Sequence, residues 1–383
     1  MNIHFLLVKD LFRGGGVETY TREVGRRLVQ RGHKVTVYST RGPGSCPDEV
    51  EGMRIVWLPG IKPYWAEKCA GALFAVREAM RTESPDVMHL HSVVAGSLAP
   101  LLRLRGTPSV LQMHGIEWMR SRWGGVAKGL LKAMEWSSMK SADMITAVSR
   151  TQCEYYLDAY GISSEFIPTA ADMKDLVAPD LITRMGLQAG KYILFAARLV
   201  PEKGAHHLIE AFRNLNTSYP LVIAGEAPAG SGYESDLRNL AKGDSRIRFV
   251  GRVHGRLLEE LFSNAFVFTQ PSELEGLSIG LIEAMSYGLP CLASDIPENR
   301  EVVGDCGILF RSQDAADLER QLRWTLVNGD TARALGSRGR QRGQQQFSWD
   351  RVVDQLEELY QRVASGREGK ERFTARQLPS LNR

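Results

Sequence analysis

Glu275 and Glu283 bracket seven residues within the segment PSELEGLSIGLIEAMSYGLP, 271–290. An apolar run from Ala265 to Phe268 reads as a buried strand, Pro271 and Ser272 break it, and Leu277 to Tyr287 carries helical patterning that stops at Gly288 and Pro290. The two carboxylates are thus expected at a strand-to-helix turn and about two turns further on. Between them, Gly276, Leu277 and Ser278 would open the helix, where unpaired N–H groups and the positive end of the dipole attract a phosphate. Carboxylates before and inside such an anion site can accept hydrogen bonds from sugar hydroxyls on either side of a diphosphate. Solvated charges on a helix surface produce the same spacing, so the spacing alone does not separate the two.

Other residues offer compatible chemistry. Gly14, Gly15 and Gly16, followed by Val17 and Glu18, lie between the first expected strand and the first helix, where glycine lets the backbone approach a ligand or simply makes a tight turn. Arg198 and Lys203 lie at the end of a later strand and the start of the next helix. At the carboxyl edge of a parallel sheet two cations face the ligand-binding crevice, although an ordinary solvated pair reads the same way. His114 ends another strand, in QMHGIEW. His89 and His91 end a strand without a third ligand at zinc spacing and read as cleft or core residues, whereas His206 and His207 are expected on a helix facing solvent. The sequence holds no Asp-x-Asp, so fixed cations rather than a divalent ion are expected to stabilise a leaving diphosphate. No metal site and no cofactor are expected.

The block from PSELEG to CLASDIPENREVV, 291–303, resembles the signature of the family 4 retaining glycosyltransferases, whose hallmark is Glu-x7-Glu. The resemblance extends to GGVETY as that family's glycine loop over the donor phosphates, to His114 as its cleft histidine, to Arg198 and Lys203 as its diphosphate clamp, and to FVGRVH, 249–254, beside the base. It implies catalytic roles for His114, Arg198, Lys203 and Glu275, with Glu275 on the donor sugar and Glu283 on the nucleotide ribose. It implies donor contacts from Gly15, Gly16, Arg252, Val253, Gly276, Leu277 and Ser278. One departure is Pro168-Thr169-Ala170-Ala171-Asp172, where family members carry Pro-Asn-Gly-Val-Asp.

The elements needed to position these residues are legible. Strands are expected at 3–8, 34–39, 54–59, 86–91, 108–114 and 143–149, then again at 192–198, 220–225, 246–251, 265–270 and 290–295, with helices between them. This alternation predicts doubly wound parallel sheets. At 383 residues the chain exceeds one ordinary core. The expectation is an α/β protein of GT-B architecture, two Rossmann-like domains with an interdomain cleft. We place an acceptor-side domain at 1–168, a linker at 169–190, a nucleotide-sugar-binding domain at 191–346, a helix at 347–365 packing back on the first domain, and a basic flexible tail at 366–383.

Composition excludes other classes. Hydrophobic residues make up 43% and charged residues 24%, as in ordered globular chains. The net charge of +4 is too slight for a dedicated nucleic-acid binder. Five scattered cysteines, Cys46, Cys69, Cys153, Cys291 and Cys306, read as reduced thiols, and no run reaches membrane-spanning length, so a cytoplasmic location is expected. The segment Met119–Lys140 sets Arg120, Arg122, Lys128, Lys132 and Lys140 against Glu135, interleaved with Trp123, Leu130, Leu131, Met134 and Trp136. It is either a basic amphipathic helix at an anionic membrane surface or a helix whose aromatic stripe packs on the sheet.

The expected activity is transfer of a hexose-type sugar from a nucleotide-diphosphate sugar to a lipid-linked or polysaccharide hydroxyl, with a small soluble acceptor as the alternative. A 2-epimerase of the same fold would lack the Glu-x7-Glu block. A non-catalytic nucleotide-sugar binder would be expected to lose Arg198, Lys203 or Glu275.

Overall fold

The computed structural model describes residues 1–7, 10–11, 15–40, 47–58, 64–81, 85–120, 123–228 and 230–366, without the side chains of 64–68 and 80. Gly14, Cys46, Arg122 and the tail 367–383 lie outside the described residues. The chain divides into two compact units, Met1–Thr169 with Trp349–Arg383, and Ala170–Ser348.

The first unit is built on strands β1 (Asn2–Leu6), β2 (Lys34–Thr40), β3 (Glu49–Val50), β4 (Met53–Leu58), β5 (Val87–Leu90), β6 (Ser109–Met113), β7 (Met144–Ala147) and β8 (Glu165–Phe166). Among the described residues they form one sheet in the order β3-β4-β2-β1-β5-β6-β7-β8. Every pairing is parallel except β3 with β4. Strands such as β5 and β6 are buried along their whole length, as a parallel sheet covered by helices on both faces requires.

The final helix, Trp349–Ala364, buries Trp349, Val352, Val353, Leu356, Leu359, Tyr360 and Val363, a stripe at helical spacing. It packs on the first helix, Gly16–Gln30, and on β5. Arg31 pairs with Asp354 at 2.6 Å, His33 Nε2 lies 2.6 Å from Glu357, and buried His89 meets the Tyr360 hydroxyl. Burial pushes His89 down to about 3, so its ring is neutral and belongs to the core.

The second unit holds β9 (Ile193–Ala196), β10 (Leu221–Ala224), β11 (Ile247–Gly251), β12 (Val267–Gln270), β13 (Cys291–Ser294) and β14 (Ile308–Phe310), in the order β11-β10-β9-β12-β13-β14. All its pairings are parallel. Strand order reverses between β9 and β12 here, and between β1 and β5 in the first unit. Such switch points leave a crevice at the carboxyl ends of the strands.

The span 169–190, expected as a linker, is anchored into the second unit instead. Buried Glu260 accepts from the N–H groups of Asp180 and Ile182 at 2.9 and 3.2 Å, and the Asn264 amide donates to Val177 O at 2.9 Å. Ile182 and Leu187 are buried beside them. The polar, aperiodic sequence of this span hid these contacts because their partners lie about eighty residues away.

Candidate functional site

The carboxyl end of β12 sets out the densest group of candidates. Gln270 closes the strand, and the chain turns through Pro271 to Glu275 before the helix Ile279–Ser286. Glu275 accepts hydrogen bonds from Gln270 Nε2 at 2.8 Å, Ser272 Oγ at 2.6 Å and Lys203 Nζ at 2.6 and 2.7 Å. Its side chain is only 7% exposed, so this carboxylate is held in one orientation by three donors. The loop is pinned in turn by Ser294 Oγ donating to Ser272 O, and by Asn299 Nδ2 donating to Ser294 Oγ at 2.9 Å.

Lys203 reaches Glu275 because two turns of chain touch. Gly204 has φ +68°, and a Cβ there would lie 1.9 Å from Pro271 O. Only glycine fits that approach without moving backbone. Arg198, two residues beyond β9, is exposed and has no ion-pair partner among the described residues. Since β9 and β12 are neighbours, both cations stand at the switch-point edge of one sheet.

The helix opens later than its apolar pattern suggests. Ser278 is its N-cap, accepting from Leu281 N at 3.4 Å, and the first helical residue is Ile279 rather than Leu277. The reason is the serine hydroxyl, which satisfies an orphan N–H and fixes the boundary. Gly276 and Leu277 belong to the loop before it, and Leu277 and Ser278 are buried. Glu283 lies in the second turn, where burial pushes its carboxyl up to about 6 against the opposing pull of Lys174. Burial also raises Glu298, with the charge of Glu275 adding to the effect. Exposed Arg252 and half-buried Val253 follow β11 at the same edge of the sheet.

The first unit contributes its own cluster at β1, β5 and β6. Gly15 is the extended N-cap of the helix Gly16–Gln30, and a Cβ on it would meet the Glu18 carboxylate at 2.6 Å. Buried Glu18 thus folds back over the helix start, and Gly16 is exposed there. His114 follows β6, with its Nε2 2.9 Å from Nδ1 of His91, whose own Nε2 lies 3.3 Å from Thr21 Oγ1. The Tyr20 ring meets His114 edge-on at 5.1 Å. His91 is therefore one residue that supports His114, a role its position at the end of the strand beside β6 could have suggested.

Two further expectations are corrected. His206 and His207 do not face solvent: His206 Nδ1 lies 2.7 Å from the Tyr233 hydroxyl and His207 Nε2 3.0 Å from Glu273 Oε1. Glu135 is not a surface charge of the segment Met119–Lys140. It is buried and accepts from Tyr155, Tyr160 and Trp118 at 2.9, 2.7 and 3.4 Å, with its carboxyl raised by burial against those bonds. In the helix Gly125–Ser141, Leu131 and Met139 are buried and Met134 packs on the core, as does Trp123 just before it, whereas Val126, Leu130 and Trp136 are exposed.

Comparison with known proteins decides the family. Residues 14–175 match the family model "Glycosyltransferase Family 4" and residues 186–342 match "Glycosyl transferases group 1". The chain belongs to the family 4 glycosyltransferases. It is 27% identical to a D-inositol 3-phosphate glycosyltransferase of Geodermatophilus obscurus, over 91% of this chain and 85% of the relative. It is equally 27% identical to a GDP-mannose-dependent alpha-(1-6)-phosphatidylinositol monomannoside mannosyltransferase of Mycobacterium tuberculosis, covering 92% and 96%. In structure this glycosyltransferase is similar to a sucrose-phosphate synthase from Thermosynechococcus elongatus, with a TM-score of 0.85 at 21% identity over 96% of this chain and all of that one. A second similar structure, HepE of Anabaena in complex with UDP and glucose, gives 0.80 at 18% identity over 94% and 99%. The fold of the glycosyltransferase is accordingly GT-B, with two Rossmann-like domains.

Proposed function

We propose that this glycosyltransferase moves a hexose-type residue from a nucleoside-diphosphate sugar to an acceptor hydroxyl with retention of configuration and without a metal ion. The observation that carries the reading is Lys203 held on Glu275 at the β9/β12 switch point, with Arg198 unpaired among the described residues beside it. A lysine ammonium has three donors, and two of them are spent on the Glu275 oxygens. The third, together with the Arg198 guanidinium, is available to a diphosphate.

The bond between sugar C1 and the phosphate oxygen breaks, and the bond from the acceptor oxygen to C1 forms on the same face. The acceptor proton passes to the departing phosphate oxygen. Arg198 and Lys203 neutralise the charge that develops there, and Glu275 orients Lys203 while one of its oxygens meets the donor sugar. Glu283 accepts from the ribose hydroxyls. The N-terminus of the helix Ile279–Ser286 supplies N–H groups to phosphate. For His114 the proposed role is a contact with the donor sugar.

The acceptor is proposed to be lipid-linked. The exposed Val126, Leu130 and Trp136, with exposed Lys140 on the same helix, favour an anionic membrane surface over a small soluble acceptor. The relative named for phosphatidylinositol monomannoside is consistent with it, whereas the one named for D-inositol 3-phosphate bears the name of a small soluble molecule. No helix among the described residues is long and apolar enough to cross a membrane. Incubating the protein with UDP-, GDP- and ADP-hexoses in EDTA, and following thermal stabilisation and donor hydrolysis, tests the donor reading. A ligand at a hundred times its Kd adds about 2.7 kcal/mol. Absence of both responses to every donor refutes it.

A further inference from the structure

His206 and His207 open the helix Ala205–Arg213. Successive side chains on a helix diverge by about 100°, yet these two rings come together with centroids 3.9 Å apart. Their Nε2 atoms converge on one carboxylate oxygen: Glu273 Oε1 lies 3.0 Å from His207 Nε2 and 3.7 Å from His206 Nε2. All three ligand atoms fall within 4.8 Å of one another. Bonds of about 2.1 Å to a tetrahedral ion set neighbouring ligand atoms about 3.4 Å apart, between the two distances observed.

The groups behind the trio have the arrangement that orients metal ligands. The Tyr233 hydroxyl sits 2.7 Å from His206 Nδ1, leaving Nε2 as the ligating atom, and Gln313 Nε2 reaches Glu273 Oε2 at 3.4 Å. We propose that His206, His207 and Glu273 form a binding site for a late first-row divalent ion, zinc in the first place. Two imidazoles and one carboxylate select such ions over magnesium or calcium, which take oxygen ligands, and the fourth position is open to water.

The ion joins two segments already tied at the backbone by Glu273 N to Glu202 O at 2.9 Å. These are the segments that carry Lys203 and Glu275. The site is thus a clamp on the loops beneath the diphosphate position. It takes no part in the transfer chemistry and stands whether or not the donor reading holds.

The test uses the full chain, stripped with chelator, returned to chelator-free buffer and titrated with zinc chloride by calorimetry and thermal unfolding. One equivalent is expected to bind with a Kd below about 100 μM and to raise the unfolding temperature. His207→Gln and Glu273→Gln are each expected to weaken binding at least about tenfold, with Tyr233→Phe also weakening it. Cobalt on the unsubstituted protein, whose visible bands report four-coordinate nitrogen and oxygen ligation, decides the matter should a variant fail to fold. No equivalent bound in that range, the same affinity in both variants, or a cobalt spectrum like that of the aqueous ion would each overturn the site and leave a hydrogen-bonded trio only.

Discussion

Lys203 and Glu275, 72 residues apart in the chain, form a bidentate ion pair at 2.6 and 2.7 Å, with side chains 19% and 7% exposed. A pair this sheltered is expensive to break from one side, because the survivor becomes an uncompensated charge in a poorly solvated place. Replacing Lys203 with alanine therefore removes the proposed phosphate donor and takes away one of the three side chains that orient Glu275, leaving Gln270 and Ser272. Arg198→Ala removes charge alone, since that side chain is exposed.

Both substitutions are expected to lower turnover by about a hundredfold or more, the usual scale for losing a preorganised stabiliser of developing charge. Lys203→Ala should additionally raise the donor KM. Steady-state kinetics on the two variants checks this, and rates near that of the unsubstituted enzyme would remove the clamp assignment.

The Gly204 turn gives a prediction about stability. A methyl group there would stand 1.9 Å from Pro271 O at a backbone φ of +68°, so Gly204→Ala must displace one of the two loops. A loss of more than about 1 kcal/mol of folding stability is expected, together with reduced turnover. Chemical denaturation measures the first; an unchanged midpoint would show that the loops move apart freely.

The pH profile should report Glu283. Burial raises its carboxyl to about 6, so its contribution to folding is fully present below the ordinary carboxylate range and is lost as pH rises through about 6. Donor binding through the proposed ribose contact runs the other way, because hydroxyls donate to the ionised form. Donor kcat/KM is expected to fall on the acid side with an inflection near 6, and Glu283→Gln should flatten that limb while weakening donor binding. A limb that persists in the variant assigns the titration elsewhere.

Much of this was legible before the fold was known, for identifiable reasons. Strands β9 and β10 are continuous apolar runs, and Gly225 after β10 and Pro271 after β12 show where the chain must turn. Strand β14 was missed because Ile308–Phe310 is too short to show a period. Glu275 could be named only once the block around it showed the family resemblance, and its pairing with Lys203 could not be read at all, since a hydrogen bond across 72 residues leaves no local pattern. The same limit applies to His206 and His207, whose meeting with Glu273 depends on how β9 and β12 lie side by side.

His91 is expected to act through His114. Its Nδ1 lies 2.9 Å from His114 Nε2, and Thr21 stands behind it. Losing that support loosens the His114 ring on one side without removing it. His91→Ala should lower kcat about tenfold to a hundredfold with little change in donor KM, and His91→Gln, which can still hydrogen-bond, should recover part of the loss. A change confined to thermal stability, with kcat intact, would make His91 a packing residue.

The proposed membrane attachment rests on the helix Gly125–Ser141. Val126, Leu130 and Trp136 are 92%, 55% and 56% exposed, whereas Trp123 and Met134 pack on the core, so the exposed apolar group is smaller than the sequence implied. Of the basic residues, Arg120 is engaged with Glu117 at 3.1 Å and Lys132 lies over the Trp118 ring at 3.9 Å. Each basic group that remains near an anionic surface contributes about 1 kcal/mol, too little to hold the protein without apolar insertion. Exchanging Val126, Leu130 and Trp136 for serine is therefore expected to release the protein from vesicles containing anionic phospholipid, and raised salt to weaken binding further. Flotation of the unsubstituted protein at low salt is the control. If it stays free of such vesicles, these side chains serve another contact and a soluble acceptor becomes the better reading.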